Sequence, residues 1–445
     1  MIRIYTPDVN GEEVFDSEIT GVIPYYRMYG AQYCLPSFVQ YTSCEAEKLR
    51  SASQAVHRIY TKVLRFAQMY LPDSYLIGQL GLEPAMIPAA RIALPFTGIE
   101  RQDWIMSEQG MRCIENNTET PSGIPEAAFL ERVLLSRYMK NPQHTPGPSA
   151  GMDALLSRVF VEAVDFFEKE GLGRAVTFTC PEGIIEDLHN TQYLLQRCEE
   201  AGLQAKFVPL EELRIIPEQG LYHNGEQISI LYRLYPLEFL VHDKDETSGV
   251  LVGQELLRLA EQGKIGLINP PQNIISQSKG FMATIWSLYE RNELTRDYLG
   301  FTLFDEEDVQ AIEDYLLPTY FTPEPFLRSG IPFAAKGYWG REGKGTVLHD
   351  KEYSADESPC LPDGTVSAQA AENEDESSYY DSQPKIFQKL HPMMQVTVPT
   401  EKGDYAGYLL TGVYVLNGRY AGVLSRIGAK VTGDMAYYCP AVVKD

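Results

Sequence analysis

The side chains best placed to do chemistry lie in one short stretch. It runs Arg101-Gln102-Asp103-Trp104-Ile105-Met106-Ser107, then Glu108-Gln109-Gly110, then Met111-Arg112-Cys113-Ile114-Glu115-Asn116-Asn117. Two alternating runs around a glycine-containing turn predict a β-hairpin. With a three-residue turn and Ser107 facing Met111, Asp103 faces Glu115 and Arg101 faces Asn117. A period of two then puts all four on one sheet face. Like charges at paired positions destabilise a sheet, so something positive belongs between the two acids. Two carboxylates and an amide oxygen suit Mg²⁺, which usually adds water and substrate phosphate. The plainer alternative is a solvated face on which Arg101 neutralises one acid. Register decides between them: a two-residue turn would set Asp103 against Ile114 and send the acids to opposite faces.

The chain continues through Thr118-Glu119-Thr120-Pro121-Ser122-Gly123. Its hydroxyls and backbone amides could grip an anion, or simply cap a helix. A second segment, Lys336-Gly337-Tyr338-Trp339-Gly340-Arg341-Glu342-Gly343-Lys344-Gly345-Thr346, follows the apolar run Ile331 to Ala335. Glycines let backbone approach phosphate closely, and Lys336, Arg341 and Lys344 would supply charge. The spacing is not that of a P-loop, and a glycine-rich hairpin with solvated bases is the alternative. Lys279 and Arg426 are unremarkable on local evidence.

These groups need a scaffold. Ser43 to about Leu71 has helical apolar spacing. Ala175 to Thr179, then Glu186 to Ala201 stopped by Gly202, then Ala205 to Pro209 read as a βαβ unit with a parallel strand pair. Ile228 to Tyr235 is a further β-rich run. Lys279 to Tyr289 opens a helix, and Asp305 caps another that reaches Leu317. Near the end, Ile386-Phe387, Gly407 to Leu416 and Tyr420 to Ser425 are strand-like, the last two split by the turn Asn417-Gly418. Residues 350–378 are acidic and rich in Ser and Ala, the composition of a mobile loop.

The chain has 445 residues and a formal net charge of -23. That length predicts two to three domains. The charge disfavours nucleic acid and anionic membranes, and would attract cations or merely keep the protein soluble. No secretory pattern opens the sequence, and no apolar run is long enough for a membrane span. The cysteines, at 34, 44, 113, 180, 198, 360 and 439, are odd in number and form no CxxC pair. A cytoplasmic protein is expected.

Taken together, the segments resemble the synthetase part of the glutathionylspermidine synthetase family, in the ATP-grasp superfamily. The matching pieces are Arg101-x-Asp103 with Glu115-Asn116-Asn117, and Ser278-Lys279-Gly280 with Ile285 to Tyr289. They continue with Lys336 and Arg341, Ile386-Phe387-Gln388, and Gly422 to Arg426. The resemblance runs from about residue 85 to the end. It implies an α/β (α+β) ATP-grasp fold with three parts. Residues 1–135 would form a helical region with the carboxylate hairpin, 150–245 a preATP-grasp-like αβ substrate lobe, and 246–445 the nucleotide-binding lobe.

The resemblance also implies an ATP- and Mg-dependent ligase that joins a carboxylate to an amine through an acyl phosphate. Asp103, Glu115 and Asn117 would hold the metal. Lys279, Lys336, Gln388, Gly340 and Gly343 would hold ATP, and Thr120 and Ser122 a peptide-like substrate. Arg101, Arg341 and Arg426 would be the catalytic cations. Glutathione or another peptide is the implied carboxylate and a polyamine the implied amine. Three departures bear on the substrates. Thr-Pro-Ser replaces the family's serine pair, the stretch between Lys279 and Lys336 is longer, and no amidase domain like that of the bifunctional members is expected. A ligase for another carboxylate and amine, or a silent nucleotide-binding relative, are the competing readings. The oligomeric state stays open, a homodimer included.

Overall fold

The structure, a computed structural model, describes residues 2–9, 11–139, 147–350, 379–380 and 382–444. The stretch expected to be mobile, 350–378, lies outside the described residues except for Asp350.

The long helix Ser43–Tyr70 starts at a capping box, in which Thr42 and Glu45 each satisfy the other's backbone N–H. Its buried stripe, including Ala52, Val56, Ile59 and Val63, covers one face of an antiparallel sheet. That sheet runs in the order Tyr437–Cys439, Arg419–Gly428, Gly403–Leu416, Ile99–Ser107, Gly110–Asn117, with Gln395–Thr400 pairing along Gly403–Leu416. Alternation sorts the two faces. Trp104, Met106, Cys113, Val413 and Val423 enter the core under the helix. Arg101, Asp103 and Tyr414 belong to the other face, where Arg101 pairs with Tyr414 and Asp103 with Gly412. Asn417 and Gly418 both have positive φ, 44° and 80°, as a two-residue hairpin turn requires.

The predicted three-residue turn at Glu108-Gln109-Gly110 is corrected. Ser107 pairs with Gly110, so the turn has two residues. By itself that register would have separated the acids. Between Asp103 and Trp104, however, the ladder shifts by one: Trp104 pairs with Cys113, and Asp103 with Glu115. Ile114 is the extra residue of a β-bulge, and it restores the opposition of the two carboxylates.

A second sheet is parallel, in the order Gly266–Ile268, Ile230–Arg233, Val176–Thr179, Ala205–Phe207. The helix Ile185–Glu200 makes the expected crossover. Ala205–Phe207 and Ile230–Arg233 add on opposite sides of Val176–Thr179. The carboxyl ends of these strands therefore form a switch point, where a crevice opens. A third, antiparallel sheet has the order Thr319–Tyr320, Lys385–Lys389, Phe333–Gly337, Val347–His349, with helix Gly280–Glu290 packed on it. Among the described residues no helix is long and apolar enough to cross a membrane.

One ion pair ties the first sheet to the second. Arg233, at the end of its parallel strand, pairs with Glu119, just after the hairpin, and both side chains are fully buried. Glu119 also accepts from the Leu237 N–H at 3.1 Å, and Arg233 donates to the Tyr235 carbonyl at 2.7 Å. Removing one member strands the other as a buried charge, which costs about 3–5 kcal/mol. Glu119→Gln should lower the urea midpoint accordingly. The double change Glu119→Leu/Arg233→Met should recover most of the loss. A single variant as stable as the parent would show that the pair does not hold the sheets together.

Candidate active site

The bulged hairpin builds the centre of the site. The Asp103 carboxylate lies between two guanidinium groups. Arg101 Nε donates to its Oδ1 at 3.1 Å, and an Arg426 terminal nitrogen donates to its Oδ2 at 2.9 Å. Burial opposes the charge on Asp103, but Arg101 and Arg426 outweigh it and hold the carboxyl below the usual carboxylate range. Arg101 is anchored through the Ser122 carbonyl at 3.0 Å, and Asn117 Nδ2 donates to the Arg101 carbonyl at 3.3 Å. The clamp lies flat on the next strand because Gly412 has no side chain. A Cβ there would sit 2.9 Å from Arg101 Cδ and 3.3 Å from Asp103 Oδ1.

Glu115, opposite Asp103, pairs with Lys279 Nζ at 2.8 Å. Lys279 stands at the start of helix Gly280–Glu290 and also reaches the Gly340 carbonyl. Lys336, on Phe333–Gly337, is 8% exposed. Its ammonium donates to the Ile114 carbonyl at 3.0 Å and to Gln388 Oε1 at 2.8 Å. The bulge thus does a second job: the carbonyl it turns out of the ladder receives Lys336. Both acceptors are neutral. Burial pulls the Lys336 ammonium down to about 8; Glu115 opposes the drop and Lys279 adds to it.

The glycine-rich segment is the loop from Phe333–Gly337 to Val347–His349. Arg341 pairs with the buried Glu238 at 2.6 Å, touches the Thr120 hydroxyl at 3.3 Å and lies over the Phe239 ring. Gly343 has φ +76°, and a Cβ on it would meet Val431 Cγ1 at 2.6 Å, so glycine is required there on both counts.

All thirteen side chains and glycines expected to form the site line one cavity of about 560 Å³. Sequence reasoning missed several neighbours. Glu119, Arg233 and Glu238 carried no local signal; they are legible only once the strands are placed. Glu186 and Asp187, on the helix that leaves the switch point, also line the cavity. Burial, with Glu126 and Asp187 beside it, pushes Glu186 up to about 8. Burial pushes Asp187 up to about 6 against the pull of Arg341. At the hairpin end four cations, Arg101, Arg426, Lys279 and Lys336, face two anions, Asp103 and Glu115, which leaves two positive charges in excess.

This end fits an anion. Lys336 is a buried cation hydrogen-bonded to neutral oxygens, and Arg426 Nε is buried with no partner among the described residues. Among the described residues no group of three or more His, Cys, Asp or Glu stands as a metal cage. Asp103 and Glu115 with the Asn117 amide form a smaller set. It fits a magnesium ion delivered with phosphate, which keeps waters and needs one or two protein carboxylates. Such an ion would compete with Lys279 for Glu115.

A glycine loop, a cationic cavity and a parallel αβ lobe opening into it define a protein of ATP-grasp type. Residues 20–444 match the glutathionylspermidine synthase preATP-grasp family, and the chain belongs to that family. Over 258 residues it is 22% identical to a Haemophilus influenzae protein that carries the provisional name acid–amine ligase. The match covers 57% of this chain and 52% of that protein, so the chain spans about half the length of this curated relative. Among solved structures it is similar in fold to a glutathione synthetase-like effector from Globodera pallida in apo form. The TM-score is 0.52 at 9% identity, over 91% of this chain and 89% of that one.

Gly412→Ala tests whether the clamp needs the bare strand beneath it. The added methyl must push Arg101 aside, at a cost of about 1–3 kcal/mol as overpacking. Chemical denaturation should show that loss, and the affinity for pyrophosphate should fall with it. Unchanged stability and affinity would mean that the clamp has room to move.

Proposed function

We propose that the chain is an ATP- and magnesium-dependent carboxylate–amine ligase that forms an amide through an acyl phosphate. The observation that carries this reading is the Asp103 clamp with Lys336 and Lys279 beside it, around one cavity that the glycine loop also lines. Family membership and the named relative support the same reaction class.

Each residue then has a task. ATP with its magnesium would supply the phosphoryl group that gives the carboxylate a leaving group. Asp103, Glu115 and Asn117 would hold the metal. Lys336 and Lys279 bind phosphoryl oxygens, with Gln388, Gly340 and Gly343 shaping that end. Arg101 and Arg426 face the charge that develops on the acyl centre; fixed donors in a dry site stabilise such charge without reorganising. Asp103 keeps both guanidinium groups oriented while leaving the clamp a net cation. Arg341, tethered to Glu238 and Thr120, holds the glycine loop over the cavity, where excluded water spares a reactive intermediate from hydrolysis. Thr120 and Ser122 border the place for a peptide-like carboxylate. Asp187 suits a cationic amine and can take up a proton from it, whereas Glu186, raised to about 8, already holds its proton near neutral pH. Glutathione and a polyamine such as spermidine are the substrates this arrangement favours.

The test incubates the protein with Mg-ATP, glutathione and spermidine and follows ADP release and product mass. An amide of the two, abolished in Asp103→Asn, is expected. ADP release with other pairs and none with this one would keep the ligase and discard these substrates. No nucleotide turnover with any pair would leave a silent nucleotide-binding relative.

A pH dependence follows from Lys336. An anion needs its ammonium charged, and the free protein holds that group near 8. ATP affinity should therefore be level below about pH 7. Above about pH 8 it should fall, approaching about tenfold per unit for one proton until the raised titration of the bound state is reached. Calorimetry across pH checks this, and Lys336→Met should remove the dependence along with most of the binding.

A further inference from the structure

We infer that Thr319, acting through Gln388, is a positioning residue for Lys336. Three hydrogen bonds form a directed line. Thr319 Oγ1 donates to the Leu317 carbonyl at 2.8 Å. Its proton is thereby committed, so it accepts from Gln388 Nε2, at 3.3 Å. With the amide nitrogen on that side, Gln388 must turn its oxygen to Lys336, whose ammonium donates to it at 2.8 Å. The pairing of strands makes the line possible. Thr319 lies directly opposite Gln388, Ala334 lies opposite Gln388 on the other flank, and Lys336 is two residues further along that strand on the same face.

The sense of the line matters. Thr319 is 1% exposed and Gln388 2%, so water has little access to replace either partner. If Gln388 turned over, its NH₂ would face an ammonium, and the Thr319 hydroxyl would have to leave the Leu317 carbonyl to meet the amide oxygen. A buried group left unpaired is costly. The Leu317 carbonyl thus fixes the orientation of an amide on the next strand, and the amide fixes a cation two positions beyond. An ammonium has three N–H groups. Ile114 and Gln388 take two, and the third remains for the cavity that Lys336 lines. A carboxylate in place of Gln388 would hold Lys336 equally well but cancel its charge. The amide holds it and leaves the charge for the ligand.

The inference rests on the reading of Lys336 as the group that meets an anion, and the experiment separates the two. Competitive labelling of amines over a range of pH, read by peptide mass spectrometry, gives the titration of Lys336 itself. Calorimetry with ATP gives binding. The charged and titratable groups facing Lys336 are Glu115, Asp103 and Cys113 from the hairpin and Lys279 from its helix. None changes in Thr319→Val. That variant should lower the Lys336 titration by about one pH unit, and ATP should bind about threefold more weakly at pH 7.5, approaching about tenfold above about pH 9. Thr319→Ser, which keeps the hydroxyl, should restore both. Should Thr319→Val fail to fold, Thr319→Cys removes the strong acceptor with less disturbance. A Lys336 titration unchanged by loss of the hydroxyl overturns the inference. A shifted titration in a protein that binds no ATP would retain Thr319 as the positioning residue and retire the nucleotide reading.

Discussion

Two carboxylates face one another across a hairpin, and most of the site is the answer to that repulsion. Asp103 and Glu115 are a cross-strand pair. Such a pair is tolerated only when cations hold it apart, and here each acid has its own. Asp103 takes Arg101 from its own strand and Arg426 from near the end of the chain; Glu115 takes Lys279 from the start of a helix. The arrangement cannot exist until three distant parts of the sequence have met. Chemistry and folding are coupled here: the groups that neutralise the pair in the free protein are also those positioned to meet an anion.

The sequence announced the pair but for an incomplete reason. A three-residue turn was expected, and the chain makes a two-residue one. The acids still oppose each other because Ile114 bulges, a feature no alternation rule foretells. Hydrophobic periodicity, by contrast, marked several of the helices and strands, though not the helices Met152–Lys169 and Val252–Glu261. Ser43–Tyr70, Ile185–Glu200 and the Asn417-Gly418 hairpin follow directly from spacing and turn chemistry. What local pattern could not show were the partners that matter only through burial. A glutamate next to a threonine, as at Glu119, looks like any loop residue until Arg233 is placed against it with both fully buried. Glu238 is the same case for Arg341. Thr319 and Gln388 acquire a relation only through the order of strands in a sheet.

The bulge also explains why the third sheet can join the first. A regular ladder would have kept the Ile114 carbonyl inside it. The irregularity turns that oxygen toward Lys336, and a second neutral acceptor, Gln388, completes the seat. An ammonium held by neutral oxygens keeps its charge but loses hydration, which is why its titration falls toward neutrality. One irregular residue thus links two sheets and tunes a lysine.

The overall charge of -23, taken alone, describes a poor host for a polyanion. Distance argues otherwise. At physiological ionic strength exposed charges are screened beyond about 8 Å, whereas buried groups a hydrogen bond apart are screened little. The acidic surface therefore acts mainly on the approach of ligands, where it would favour a cation and slow an anion. Inside the cavity the hairpin groups carry an excess of positive charge, while Asp187, raised only to about 6, stays an anion near neutral pH. A site lined by groups of both signs can take an anionic and a cationic partner together. It does so without a net charge that either would find repellent throughout.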